Sequence, residues 1–291
     1  MPSDPIFQHL LEVFFPYCCM GALDLHTVFC KDVTPKGPLT KNLLDLIADA
    51  FAVLEISIHI AWSKILGNER TVMMQSAQLY VWHIMNMCWG EKQMVIDIYD
   101  RTLSVIALVR YMSEIICFNT GKKFYKLNFR ILTAFFENCL REDFKKRGGW
   151  KRLEKHILNR KYREYYNECA TYGFLIDDIP YDLKVRIRHS FTSKSTFRME
   201  VSNDMINDLT QEVMSFVGTS LLNEINSPKT NTEKSVPKEA EGSSSTKDNG
   251  LEVSDMLLSS KKQINLCVNH LNQFEEKLKE LISIFELLDT K

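Results

Sequence analysis

Between Gly121 and Arg163 the chain carries 14 Lys and Arg against the four carboxylates Glu137, Glu142, Asp143 and Glu154, a local excess of ten positive charges. Basic residues at that density attract phosphate groups, on nucleic acid or on an anionic membrane surface. Tyr162, Tyr165 and Tyr166 interleave with them, but no recognised nucleic-acid motif accompanies the run. The plainer alternative is a solvated face offset by the acidic tail. The whole chain carries 36 Lys and Arg against 37 Asp and Glu, a net charge of −1. That balance argues against a surface built throughout for nucleic acid.

Catalytic chemistry has no comparable signal. The sequence lacks a Gly-rich phosphate loop, a His-Glu-x-x-His pair, a Gly-x-Ser-x-Gly turn and an acidic calcium loop. His59 and His83 lie in mostly apolar helical segments and suit satisfied core or boundary positions. Asp177 and Asp178 are adjacent, but beside Pro180 they read as an exposed turn. The expectation is a non-enzymatic protein without metal or cofactor. The eight cysteines include no Cys-x-x-Cys pair and no partner His at zinc-ligand spacing, so buried reduced thiols are expected.

The elements that position these residues are expected to be helices. Ser3, with Asp4 and Pro5 behind it, can cap a first helix whose Phe7, Leu10, Leu11, Phe14 and Phe15 form one face. Thr40 caps a second, striped by Leu44, Ile47, Phe51, Leu54, Ile58, Trp62 and Ile65 and ended by Gly67 and Asn68. A third runs from about Val72 to Trp89. From about Gln93 to Phe118 the chain is apolar nearly all round, and a helix without a polar face belongs inside a bundle. Asn119, Thr120 and Gly121 turn out of it. The next helix carries Phe124, Leu127, Ile131, Phe135 and Cys139 inward and stops before Gly148 and Gly149. Trp150 opens another, through Leu153, Ile157 and Tyr165. Alternation of Val185, Ile187, His189 and Phe191, and then of Phe197, Met199 and Val201, predicts a short hairpin. Asn203 caps a further amphipathic helix.

Beyond it the composition changes. Residues 223–250 are rich in Ser, Thr, Lys, Glu and Pro, and read as a disordered linker. In residues 251–291, Leu257, Ile264, Leu271, Leu278 and Phe285 recur every seven residues, and Cys267, Phe274, Leu281 and Leu288 hold a second register. This is an a/d seam, suited to a coiled coil with a second copy or to an amphipathic helix folding back in cis. The fold class expected is therefore mostly α: a helical bundle around a buried central hydrophobic helix, with a flexible linker and a C-terminal coiled-coil-like helix. No charge-free stretch of about 18 residues is found. Met-Pro-Ser-Asp-Pro lacks the positive flank of a signal peptide, so an intracellular protein is expected.

Arg130-Ile131-Leu132-Thr133-Ala134-Phe135-Phe136, Leu140 and then Gly148-Gly149-Trp150-Lys151-Arg152-Leu153 resemble the sixth helix and second homology motif of the Bcl-2 family of apoptosis regulators. In that family a Gly-Gly-Trp ends one helix and begins the next. The helix from Arg101 to Phe118 falls at the place of the family's buried central helix. Leu44-Asp45-Leu46-Ile47-Ala48-Asp49-Ala50-Phe51 resembles its third homology segment. Where the family's first motif has Asn-Trp-Gly-Arg, this chain reads Asp100-Arg101-Thr102-Leu103. In place of the family's C-terminal membrane anchor stand the linker and heptad tail.

The resemblance implies a Bcl-2-like bundle over residues 3–165, extended by 166–222 into one helical domain, 1–222. It implies regulation of cell death by binding amphipathic partner helices in a groove, with Arg101, Leu44 and Asp49 as partner-binding residues and Gly148, Gly149 and Trp150 as the structural motif. The compartment implied is cytoplasmic, peripheral at the mitochondrial membrane, with the nucleus also compatible. The alternative function is a helical adaptor or assembly subunit acting through its coiled-coil tail and basic surface, with homo-oligomerisation through the seam.

Overall fold

The computed structural model describes residues 3–15, 34–193 and 203–226, most of them helical. The described residues all fall within one compact unit. The heptad seam, the linker beyond Asn226, the second half of the expected hairpin, and Cys18, Cys19, Cys30 and Cys267 lie outside the described residues.

Eleven α-helices follow one another in the described part. α1 spans Pro5–Phe14, α2 Lys41–Met73, α3 Ala77–Met94 and α4 Ile98–Thr120. After a 3-10 turn at Phe124–Leu127 come α5 (Asn128–Phe135), a π turn at Phe136–Leu140, and α6 (Arg141–Lys146). α7 (Trp150–Asn159), α8 (Tyr162–Ala170), α9 (Tyr181–Phe191), α10 (Asn203–Ser215) and α11 (Thr219–Asn226) complete it. Among the described residues there is no strand, only isolated bridges between Lys36 and Leu39 and between Val95 and Thr192.

α4 is the centre of the bundle. Leu103, Val105, Ile106, Ala107, Leu108, Val109, Met112 and Ile116 are all buried, against α2, α3, α5, α6 and the turns between them. Burial on every side is what its lack of a polar face requires. Each large aliphatic side chain placed there contributes about 1.5–3 kcal/mol. Asp97 caps α4 by accepting from the Tyr99 amide at 2.8 Å, and Gly121 ends it at φ +69°, a left-handed conformation that glycine adopts without a Cβ clash.

Several element boundaries differ from the sequence reading. Asp4, not Ser3, caps α1: its carboxylate accepts from the Ile6 and Phe7 amides at 2.9 and 3.1 Å. α2 continues through Gly67 to Met73, because buried Leu66 and Met73 anchor both sides of the glycine. A helical glycine costs only about 1 kcal/mol, which such burial offsets. α3 accordingly starts later, at Ser76, whose hydroxyl accepts from the Leu79 amide. The chain breaks at Arg160 and Lys161, so Tyr165 belongs to α8, and the boundary drawn at 165 falls inside that helix. The residues assigned to an extension share the core, with Ile179, Leu183, Ile187 and Phe191 all buried in it. α11 likewise reaches Asn226, four residues past the end expected for the helical domain at 222.

The expected hairpin is the largest correction. Residues 181–191 form α9, which packs along α2. Leu183, Ile187, Arg188 and Phe191 are its buried face. The same apolar residues satisfy a two-residue period locally and a helical one over the full segment, and the long apolar side of α2 favours the helix. What pairs with the end of α9 is the α3–α4 connection: Ile96 N–H donates to Phe191 O and Ser193 N–H to Met94 O, at 3.2 and 3.1 Å.

Candidate functional site

The Gly-Gly-Trp corner is built from aromatic packing. Trp150 lies against Phe144 at 4.7 Å between ring centroids, and Phe7 and Phe136 each stand 6.2 Å away. Its indole N–H donates to Asp4 Oδ2 at 3.3 Å, and Phe7 stacks on Phe136 at 4.0 Å. Gly148 and Gly149 have φ of +116° and +60°, and Gly149 combines its φ with ψ −152°, a region essentially reserved for glycine. A Cβ on Gly148 would stand 2.4 Å from the Arg152 side chain. Tyr99 O–H reaches the carbonyls of Arg147 and Gly149, at 3.1 and 3.3 Å, and ties the corner to α4.

The other residues singled out from sequence are spread apart. Leu44 is buried in the core on the first turn of α2. Asp49, half-buried on the same helix, has its carboxyl raised by burial and by Asp45, against the pull of Arg163. Arg101 stands at the start of α4, where Nε and Nη2 donate to Val95 O at 3.0 and 2.9 Å and Nη2 to Ile96 O at 3.2 Å. Burial lowers its pKa, while Asp143 and Asp97 act in the opposite direction. Its hydrogen-bond partners are thus Val95 and Ile96, not Leu44 or Asp49.

Two buried polar clusters hold the helices in register. Glu91 on α3, fully buried, accepts from Arg188 Nη1 and Nη2 at 2.7 and 3.0 Å, from Trp62 Nε1 at 2.9 Å and from Ser104 Oγ at 2.5 Å. Burial alone would raise its pKa, but the charge of Arg188 and these donors bring it below the usual carboxylate value. Asp100 on α4, also fully buried, meets His156 Nε2 at 2.7 Å, the Tyr162 hydroxyl at 3.0 Å and the Arg160 guanidinium. Asp97, Asp100 and His156 each offer a ligand atom within 4.8 Å of the others. Arg160 and Tyr162 already engage Asp100, so its charge is answered within the protein. The four described cysteines, Cys88, Cys117, Cys139 and Cys169, are all buried.

The surface feature suited to a partner lies between α2 and α9. A cleft of about 650 Å³ is lined by Ile60, Ala61, Trp62, Ile65, Met94, Tyr181, Val185, Arg188 and His189. Its walls leave Ile65 43% and Tyr181 72% exposed, so the apolar lining of the cleft is open to solvent at its mouth. The Glu91–Arg188 pair fixes its floor. A second hollow, sharing Tyr181, Val185 and His189 and adding Asp182, Arg186 and Ser190, continues it along α9. This surface escapes a sequence reading because half of it is on the segment whose alternation suggests a strand.

The face of α3 and α5 is already occupied. α10 packs on it with Ile206, Leu209, Thr210 and Val213 buried, and Trp82 Nε1 donates to Asn207 Oδ1 at 3.0 Å. A smaller cleft of about 580 Å³ remains beside α10, lined by Lys126, Phe129, Arg130, Ala134, Val213 and Phe216 among others.

No helix among the described residues is long and apolar enough to cross a membrane. No family model matches the chain, and neither a curated protein nor a solved structure shows significant similarity to it.

Proposed function

We propose that this chain is a non-enzymatic regulator of cell death that receives an amphipathic helix of a partner protein in the cleft between α2 and α9. The observation that carries this reading is the cleft itself: an apolar trough on a rigid two-helix wall, continued by a second hollow along α9, with Ile65 and Tyr181 exposed. Partner helices bind such troughs through apolar anchors at i, i+3, i+4 and i+7, with charged flanks toward the rim. Asp182, Arg186 and His189 supply rim groups of both signs. The link to cell death comes from the resemblance: the Gly148-Gly149-Trp150 corner follows a helix that packs on the enclosed α4. Fluorescence anisotropy with a panel of death-promoting amphipathic peptides tests it. At least one peptide binds, and Tyr181→Asp or Val185→Glu weakens it without lowering the melting temperature. A folded chain that binds none of them overturns the proposal.

A further inference from the structure

The corner between α6 and α7 carries a dense run of positive charge and has no part in the cleft. From Lys145 to Lys155 the chain holds six basic residues, Lys145, Lys146, Arg147, Lys151, Arg152 and Lys155, against the single carboxylate Glu154. All six basic side chains are exposed. Only Lys146 and Arg147 stand within ion-pair distance of a carboxylate among the described residues, at 3.8 Å from Asp143 and 3.7 Å from Asp97. The remaining four have their charge directed to solvent.

α7 presents these charges on one side. Trp150, Leu153 and Ile157 are buried, so the opposite face displays Lys151, Lys155 and Leu158 at i, i+4 and i+7, with Arg152 beside them. Leu158 is 55% exposed at the C-terminal end of this face. The corner is also rigid. Trp150 is packed among Phe7, Phe136 and Phe144, and Tyr99 bridges the carbonyls on both sides of Gly148. Its cations therefore keep their spacing without ordering a flexible segment on binding.

We propose that this corner is a docking face for anionic membrane surfaces, with Lys145, Lys146, Arg147, Lys151, Arg152 and Lys155 at the headgroup level and Leu158 entering the acyl boundary. Basic residues held near such a surface each add attraction that falls off within a Debye length, and an apolar side chain among them adds a component that salt does not screen. Single-stranded nucleic acid is the weaker fit, because base stacking needs exposed aromatic rings. The exposed large aromatic residues of the described chain, Tyr172, Tyr181 and Phe216, lie on other segments.

Co-sedimentation of the full chain with vesicles tests this, using phosphatidylcholine alone or with about a third phosphatidylserine, beside a single-stranded and a duplex oligonucleotide at the same ionic strength. Binding is expected to the anionic vesicles and not to the neutral ones. The double variant Lys151→Glu, Lys155→Glu lowers it by at least about tenfold, with an unchanged melt because both side chains point outward. Leu158→Asp removes the part of the binding that survives raised salt. Equal sedimentation of wild type and double variant overturns the proposal. So does oligonucleotide binding as strong as vesicle binding and lost in the same variant, which would make the corner a nucleic-acid surface.

Discussion

Arg188 and Glu91, 97 positions apart, form a two-point ion pair at 2.7 and 3.0 Å that joins α9 to α3 beneath the cleft. Removing one partner leaves a buried charge without an answer. Arg188→Ala is expected to cost about 3–5 kcal/mol in urea unfolding. The double variant Glu91→Leu, Arg188→Met recovers much of that loss, since apolar residues of similar volume tolerate the site. The depressed Glu91 carboxyl contributes stability that is present above its ordinary value of 4.5 and lost as pH falls through its folded value. Acid unfolding of Glu91→Gln should accordingly show a shallower loss below that value than wild type. An unchanged urea midpoint in Arg188→Ala would show that the pair is not what holds α9 on α3.

Trp150→Ala should destabilise the compact unit by roughly 3–5 kcal/mol, the cost of deleting a buried aromatic side chain. Gly148→Val adds backbone strain and a collision with Arg152, and roughly 1–3 kcal/mol is expected for the strain alone. Thermal melts of both variants check this. Two unchanged melts would reduce the Gly-Gly-Trp corner to surface decoration.

Glu55 on α2 faces Arg110 at 3.3 Å, and Arg110 also pairs with Glu114 at 2.8 Å. Burial pushes the Glu55 carboxyl up to about 7, with Arg110 pulling it down and Glu114 pushing it further. The unfolded chain releases this proton near 4.5, while the folded chain keeps it until about 7. The unfolded state therefore binds fewer protons across that window, and this group makes stability fall as pH rises through it. Urea midpoints measured across the window should decline less in Glu55→Gln than in wild type. Parallel slopes would contradict the assignment.

Arg101 is committed to the carbonyls of Val95 and Ile96. Arg101→Ala should cost about 1.5–3 kcal/mol of stability, as for hydrogen bonds from a charged donor. Peptide affinity should change by less than about threefold, under 1 kcal/mol. Calorimetric titration beside a melt separates the two effects. Unchanged stability with a ten- to hundredfold loss of binding, about 1.4–2.8 kcal/mol, would return Arg101 to the groove role that the resemblance implies.

The helices were legible wherever one apolar face dominated. α4 reads as central from Leu103 to Ile116 alone, and Thr40 and Gly121 mark ends that the structure places where their chemistry suggests. Gly67 misleads because a local breaker is weighed without Met73, whose burial depends on tertiary packing. α9 misleads because Leu183, Ile187 and Phe191 fit two periods, and only the neighbouring α2 decides between them. The cleft is hidden for the same reason. The two buried carboxylates are hidden for another: nothing near Glu91 or Asp100 in sequence reveals a partner 97 or 56 residues away. The contacts of Trp150 with Phe7, Phe136, Phe144 and Asp4 are hidden likewise, since the motif itself does not reveal a partner 146 residues away.

The central claim is that the α2–α9 cleft receives a partner helix. Methyl-resolved NMR of the full chain during titration with a death-promoting amphipathic peptide tests it most directly. The methyl signals of Ile60, Ile65, Met94 and Val185 should shift together and saturate with one binding constant, and Tyr181→Asp should abolish the effect. Shifts confined to methyl groups elsewhere in the bundle, or none from a correctly folded chain, would contradict it.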